Sequence, residues 1–220
     1  MTSFIASSVG KKYLMGVSGL IWLGFIFVHM AGNLLIFAGP EVYNSYGHAI
    51  TSNKILLYGA EIILISALLM HIGLGVLLTR QNFKAKASQY SVSGSREKGA
   101  SFASKTMALH GTVILIFIVS HLITFKFGPY YETTVDGVVM RDLHRLMVEV
   151  FSQPVYIAWY IVALVLLGIH VSHGVGSVFQ SFGLLHPSYL AKIEKIRIGY
   201  AVVVTLGFLS QPVYFFFNKL

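Results

Sequence analysis

Four histidines interrupt strongly apolar stretches: His29 in VHMAGN, His71 in SALLMHIG, His121 in FIVSHLIT and His170 in LLGIHVSH, the last followed three residues later by His173. A buried imidazole costs free energy unless its nitrogens find partners, so each of these side chains implies a hydrogen bond, a proton relay or a metal. The chain has no cysteine. Disulfides, thiolate catalysis, a cysteine-ligated iron–sulfur cluster in this chain and covalent c-type haem attachment are thereby excluded, and histidine is left as the natural metal ligand.

The elements that carry these histidines are set by composition. With 55% hydrophobic residues, 11% charged residues and a mean hydropathy of +0.73, the 220-residue chain is too apolar for a soluble domain. A membrane-crossing helix needs about 20 apolar residues. Five segments qualify, at 13–37, 55–79, 105–127, 155–179 and 196–218. The fold expected is all-α, one membrane-embedded domain over 1–220 built as a five-helix bundle.

Lys and Arg concentrate on cytoplasmic loops. With the N-terminus cytoplasmic, the inner segments hold Lys11, Lys12, Arg80, Lys84, Lys86, Arg96, Lys98, Lys105, Lys192, Lys195 and Arg197, against Lys54, Lys126, Arg141, Arg145 and Lys219 outside. The net charge of +8 is then a property of the cytoplasmic face, and nucleic-acid binding is a poor reading of it. The first apolar segment is too long for the core of a signal peptide and lacks a clean A-x-A-like site, so it is expected to be retained. Residues 80–104, rich in Ser, Gly and Lys, read as a solvated inner connection able to touch a partner. Within 128–154, Val139, Met140, Leu143, Leu146, Met147 and Val150 fall at helical spacing, which predicts a short amphipathic helix on the outer interface.

Depth follows from a rise of about 1.5 Å per residue. His29 and His121, on helices running outward, lie roughly 12 and 9 Å below the outer edge of the apolar layer. His71 and His170, on helices running inward, lie roughly 12 to 14 Å from the inner edge. Two histidines from different helices at each of two levels is the requirement for bis-histidine ligation of two b-type haems, whose irons each take two axial imidazoles about 4 Å apart. Gly32, Gly75 and Gly174 stand three or four residues after a histidine and are expected to leave room for a flat ring. Zinc would want a third or fourth nearby ligand.

FVHMAGN, LLMHIGLG, IVSHLITF and LGIHVSHGVGS, in this order over nearly the whole chain together with QPVYIAWYIV at the start of the fourth span, resemble the dihaem cytochrome b subunit of succinate dehydrogenase and fumarate reductase, in the class with a single five-helix anchor. The resemblance implies that His71 and His170 hold the inner, proximal haem and His29 and His121 the outer, distal one. It implies a cytoplasmic iron–sulfur subunit carrying a flavoprotein with covalent FAD, electron passage through both haems to a quinone, usually menaquinone, and placement as a multi-pass protein of the cytoplasmic membrane. Members of the family can use a glutamate just before the proximal ligand of the fourth helix for proton transfer. Residues 163–169 contain no carboxylate, so that proton path lacks its residue here.

Other polar residues carry competing readings. Glu61 lies about 15 Å outward of His71, either as a proton-handling group near an outer quinone or as a structural hydrogen-bond partner. His110 lies eleven residues before His121, near the depth of the inner pair, as an alternative ligand or a partner for a haem propionate. His173 could replace His170. Ser18, Arg80 and Lys105 lie where inner propionates would seek partners, although Arg80 and Lys105 are equally explained by topology. Pro212 is expected to kink the fifth span or free a carbonyl. The competing functions are a dihaem cytochrome b for another quinone-linked enzyme, and a haem-free transporter whose histidines bind metal or relay protons. A pyridine haemochrome assay with protein quantitation should return two haem b per chain; one or none contradicts the paired-histidine reading.

Overall fold

The computed structural model describes residue 4 and residues 7–87 and 102–218. Residues 88–101 of the expected inner connection fall outside the described residues, as do Lys219 and the side chains of Lys84, Lys86 and Lys105. Seven α-helices and one β-hairpin follow in order: α1 Ser8–Asn33, α2 Pro40–Ser52, α3 Lys54–Ala87, α4 Phe102–His121, β1 Glu132–Val135, β2 Val138–Arg141, α5 Leu143–Phe151, α6 Pro154–Ser181 and α7 Leu190–Asn218. The helical class is as expected, and five helices are long and apolar enough to cross a membrane: Ser8–Ala38, Lys54–Gln81, Thr106–Lys126, Pro154–Ser181 and Pro187–Asn218.

Local chemistry sets the ends. Ser7 caps α1 by accepting from the Gly10 N–H at 3.0 Å, satisfying one of the first-turn donors that a helix leaves orphaned. The chain leaves α1 through a 3₁₀ turn, Leu34–Ala38, and reverses at Gly39, whose φ of 105° suits glycine. Pro40 then opens α2, where its missing N–H costs nothing. In the hairpin, Asp136 and Gly137 both take positive φ, 49° and 77°, the two-residue turn whose twist matches paired strands. α7 continues as helix through Pro212, which is fully buried.

Packing is uneven. α6 lies at the centre, against α7, α4 and α1, with Ala163, Leu164, Leu167, Val171 and Val175 buried. α3 packs chiefly on α1 and exposes Ile55, Leu56, Ile62, Ile63, Ile65 and Leu69. Such an apolar outer face suits lipid rather than water.

One end of the bundle is basic, where α1 starts with Lys11 and Lys12, α3 passes Arg80 and α7 begins beside Lys192 and Lys195. The opposite end carries a cap of α2, the hairpin and α5. The cap is joined by Asn44, which donates to Asp142 Oδ1 at 2.9 Å and accepts the His144 N–H at 3.0 Å, while Asp142 caps α5 through the Arg145 N–H. Two expectations change here. The predicted helix from Val139 is strand as far as Arg141, because β2 pairs with β1 at Met140–Thr133 and Val139–Thr134. The remaining helix is short and amphipathic as expected, but its apolar face is turned into the bundle: Leu146, Met147, Val150 and Phe151 are core residues.

Close helix approaches rest on small residues. A Cβ on Gly168 of α6 would overlap the Thr205 hydroxyl of α7, whereas nothing lies within 4 Å of a Cβ on Gly24. Gly168→Val should therefore lower stability by about 1–3 kcal/mol, read as a lower thermal midpoint in detergent, while Gly24→Ala leaves the midpoint unchanged.

Candidate functional site

The bundle brings the four histidines together as two pairs. Towards the cap, the His29 and His121 rings lie 5.8 Å apart, centroid to centroid, and nearly perpendicular at 88°. Towards the basic end, His71 and His170 lie 6.2 Å apart at 59°. Each pair joins two helices that do not follow one another in the chain: α1 with α4, and α3 with α6. His173, on the same helix as His170, is not the partner of His71.

The spacing between levels can be read on two helices. On α1, Ser18 contacts His71 and His29 faces His121, eleven residues or about 16 Å apart. On α6, His170 faces His71 and Tyr160 contacts His121, ten residues or about 15 Å apart.

The surroundings of the two pairs differ. The cap-side pair is enclosed by rings: Phe25 stacks on His29 at 5.2 Å, Phe208 lies 5.9 Å from it, and Phe117 and Phe125 flank His121 at 5.8 and 5.2 Å. His121 Nδ1 shares a hydrogen bond with the buried Tyr160 hydroxyl at 3.0 Å. Asn33 donates to the His29 carbonyl at 2.8 Å and is itself held by the Tyr43 hydroxyl at 2.8 Å, which ties the end of α1 to the cap. At the other level, His71 Nδ1 meets the Ser18 hydroxyl at 3.2 Å, and His170 Nδ1 is sealed from solvent without a hydrogen-bond partner.

Several single residues stand differently from their sequence readings. Ser18, read as lying where an inner propionate would seek a partner, is fully buried and meets His71 Nδ1. Arg80 is exposed. His110 is 3% exposed, and its Nδ1 is sealed without a partner; the adjacent Gly111 faces the His170 ring, its Cβ position 3.7 Å from Cε1. Glu61 is paired with Lys126 at 2.5 Å, so the carboxylate has a fixed cation beside it. Gly32 and Gly75 do not open on the histidines: the Tyr46 ring occupies the space at Gly32 and the Met15 methyl lies near Gly75, while nothing approaches Gly174. The glycines that do meet imidazoles are Gly19, 3.6 Å from His71 Cε1, and Gly111. Both sit on a helix other than that of the ring they face, which explains why spacing from each histidine along its own helix did not reveal them.

These observations bear on what the pairs can hold. Among the described residues no three or more His, Asp or Glu side chains gather where they could hold a metal ion, so a bare ion would find two ligands at either level. Haem supplies four equatorial nitrogens itself and asks the protein for only two axial ones. With metal–nitrogen bonds of about 2 Å, two imidazoles on one iron have centroids about 6 Å apart, close to the separations of both pairs. The donor set and the aromatic lining fit the group, which His29 and His121 would hold at one level and His71 and His170 at the other. No family model matches the chain, nor does any curated protein or solved structure.

The Glu61–Lys126 pair joins α3 to the π-helical turn Leu122–Lys126 that follows His121. Removing one member leaves a charge without its partner. Lys126→Met should therefore destabilise the protein more than the double variant Glu61→Gln/Lys126→Met, with a coupling energy on the order of 1 kcal/mol in a double-mutant cycle. Equal effects would show that the pair is idle.

Proposed function

We propose that the chain is the dihaem cytochrome b anchor of a succinate:quinone oxidoreductase. The observation that supports this most directly is the meeting of histidines across helices at two levels about 15 Å apart, a requirement of two stacked bis-histidine haems and of few other arrangements. In this proposal the five apolar helices cross the cytoplasmic membrane, the basic end faces the cytoplasm, and the cap closes the outer side.

The protein's part is to hold, orient and insulate. His71 and His170 bind at the inner level, where the basic ends of α1, α3 and α7 present a docking face for an iron–sulfur subunit and its FAD-bearing partner. His29 and His121 bind at the outer level, nearer to the quinone, for which menaquinone is the expected species. Haem at each level would supply reversible one-electron chemistry at its iron. Apolar packing by Phe25, Phe117, Phe125 and Phe208 excludes water from the outer level, and polar partners on Nδ1 set ring orientation and ligand basicity. Glu61, neutralised by Lys126, stands toward the cap end where quinone chemistry is proposed, and serves as an ion-paired strut unless the quinone displaces the pair.

Reduced-minus-oxidised visible spectra of the purified protein test the proposal. Two b-type components are expected. His29→Ala and His121→Ala should remove the same component, and His71→Ala and His170→Ala the other. Colourless protein, or four substitutions that do not sort into these two groups, would defeat it.

A further inference from the structure

The two imidazoles of the basic-end pair are treated unequally, and the inequality rests on a residue of a third helix. Ser18 belongs to α1, whereas His71 and His170 belong to α3 and α6. Its side chain is fully buried. A serine hydroxyl has one hydrogen and two lone pairs. Ser18 gives that hydrogen to the Met15 carbonyl one turn back at 3.0 Å, a common local bond for helical serine. Only lone pairs are then left toward His71 Nδ1 at 3.2 Å. Two acceptors cannot bond each other, so with the hydroxyl hydrogen on the Met15 carbonyl this contact is made by an imidazole that carries its proton on Nδ1 and keeps the Nε2 lone pair. Gly19 lies beside that ring edge, His71 Cε1 standing 3.6 Å, an ordinary contact distance, from where a Cβ would be. His170 receives no such help, its Nδ1 being sealed without a hydrogen-bond partner.

We propose that Ser18 is a positioning residue for the inner haem: locked by the Met15 carbonyl, it accepts the Nδ1–H of His71, selects the tautomer that presents Nε2 as ligand, and makes that imidazole the stronger donor of its pair. The assignment rests on the dihaem reading and adds to it a residue from outside the ligand helices. Its consequence is a redox one. A hydrogen bond from the Nδ1–H raises the basicity of a metal-bound imidazole and so favours the ferric state, holding the inner potential below the value it would otherwise have. The outer level, about 16 Å away along α1, has its own partner in Tyr160 and does not share the effect.

A spectroelectrochemical titration of the membrane-bound holoprotein separates the outcomes. Ser18→Ala should keep two haems per chain and raise the midpoint of the inner component alone. The expected loss of ferric preference is up to about tenfold, equal to about 59 mV for a one-electron couple. Ser18→Thr, which retains the hydroxyl, should keep the wild-type midpoint. An unmoved inner midpoint in Ser18→Ala overturns the assignment. Equal shifts of both components, loss of the inner haem, or a threonine variant that behaves as alanine does likewise, since each marks Ser18 as a packing residue. Wild-type protein without haem would defeat the dihaem reading itself, whereas a pigmented Ser18→Ala protein with an unmoved midpoint defeats only the role of Ser18.

Discussion

An imidazole inside an apolar bundle must have its nitrogens answered from within the bundle, because neither lipid nor a hydrocarbon core can supply a hydrogen bond. Four such side chains impose that demand here, and the arrangement of helices can be understood as the answer. The His29 and His121 side chains reach toward each other from α1 and α4, and those of His71 and His170 from α3 and α6. The Nδ1 atoms of His71 and His121 reach Ser18 and Tyr160, hydroxyls on helices that carry no histidine of the same pair, while His170 Nδ1 has no hydrogen-bond partner. α1 thus takes part at both levels, with His29 at one and Ser18 at the other.

The cap solves a second problem at the level of His29 and His121. α1 ends only four residues beyond His29, and a helix end frays unless its last carbonyls are tied down. Asn33 bonds back to the His29 carbonyl and is held by Tyr43, and α2 is fastened to the start of α5 through Asn44. α5 inserts Leu146, Met147, Val150 and Phe151 into the core, where Phe151 meets Tyr160 and Phe125. The rings around His121 are therefore backed by residues that come from the connection between α4 and α6, not from a membrane-crossing helix.

Much of this was legible in the chain, and the exceptions have a common form. Apolar length located all five long helices, and residue counts along each helix placed His29 level with His121 and His71 level with His170. What counting missed lay across a gap. Gly32 and Gly75 sit at the expected spacing from histidines yet face Tyr46 and Met15, while Gly19 and Gly111, unremarkable in the sequence, face imidazoles. Val139 and Met140 continue a plausible helical pattern but join a strand, because the Asp136–Gly137 turn closes a hairpin whose pairing outweighs that periodicity.

The sequence by itself determined the class of the fold, the two levels and the four side chains at them, because hydropathy and a rise of about 1.5 Å per residue act along a single helix axis. Only the tertiary structure decided which nitrogen faces which hydroxyl, that Glu61 is paired with Lys126, and that Ser18 lies against His71. Those depend on how each helix is rotated about its axis and which neighbour it meets, quantities set by packing between segments far apart in the chain rather than by the spacing within any one of them.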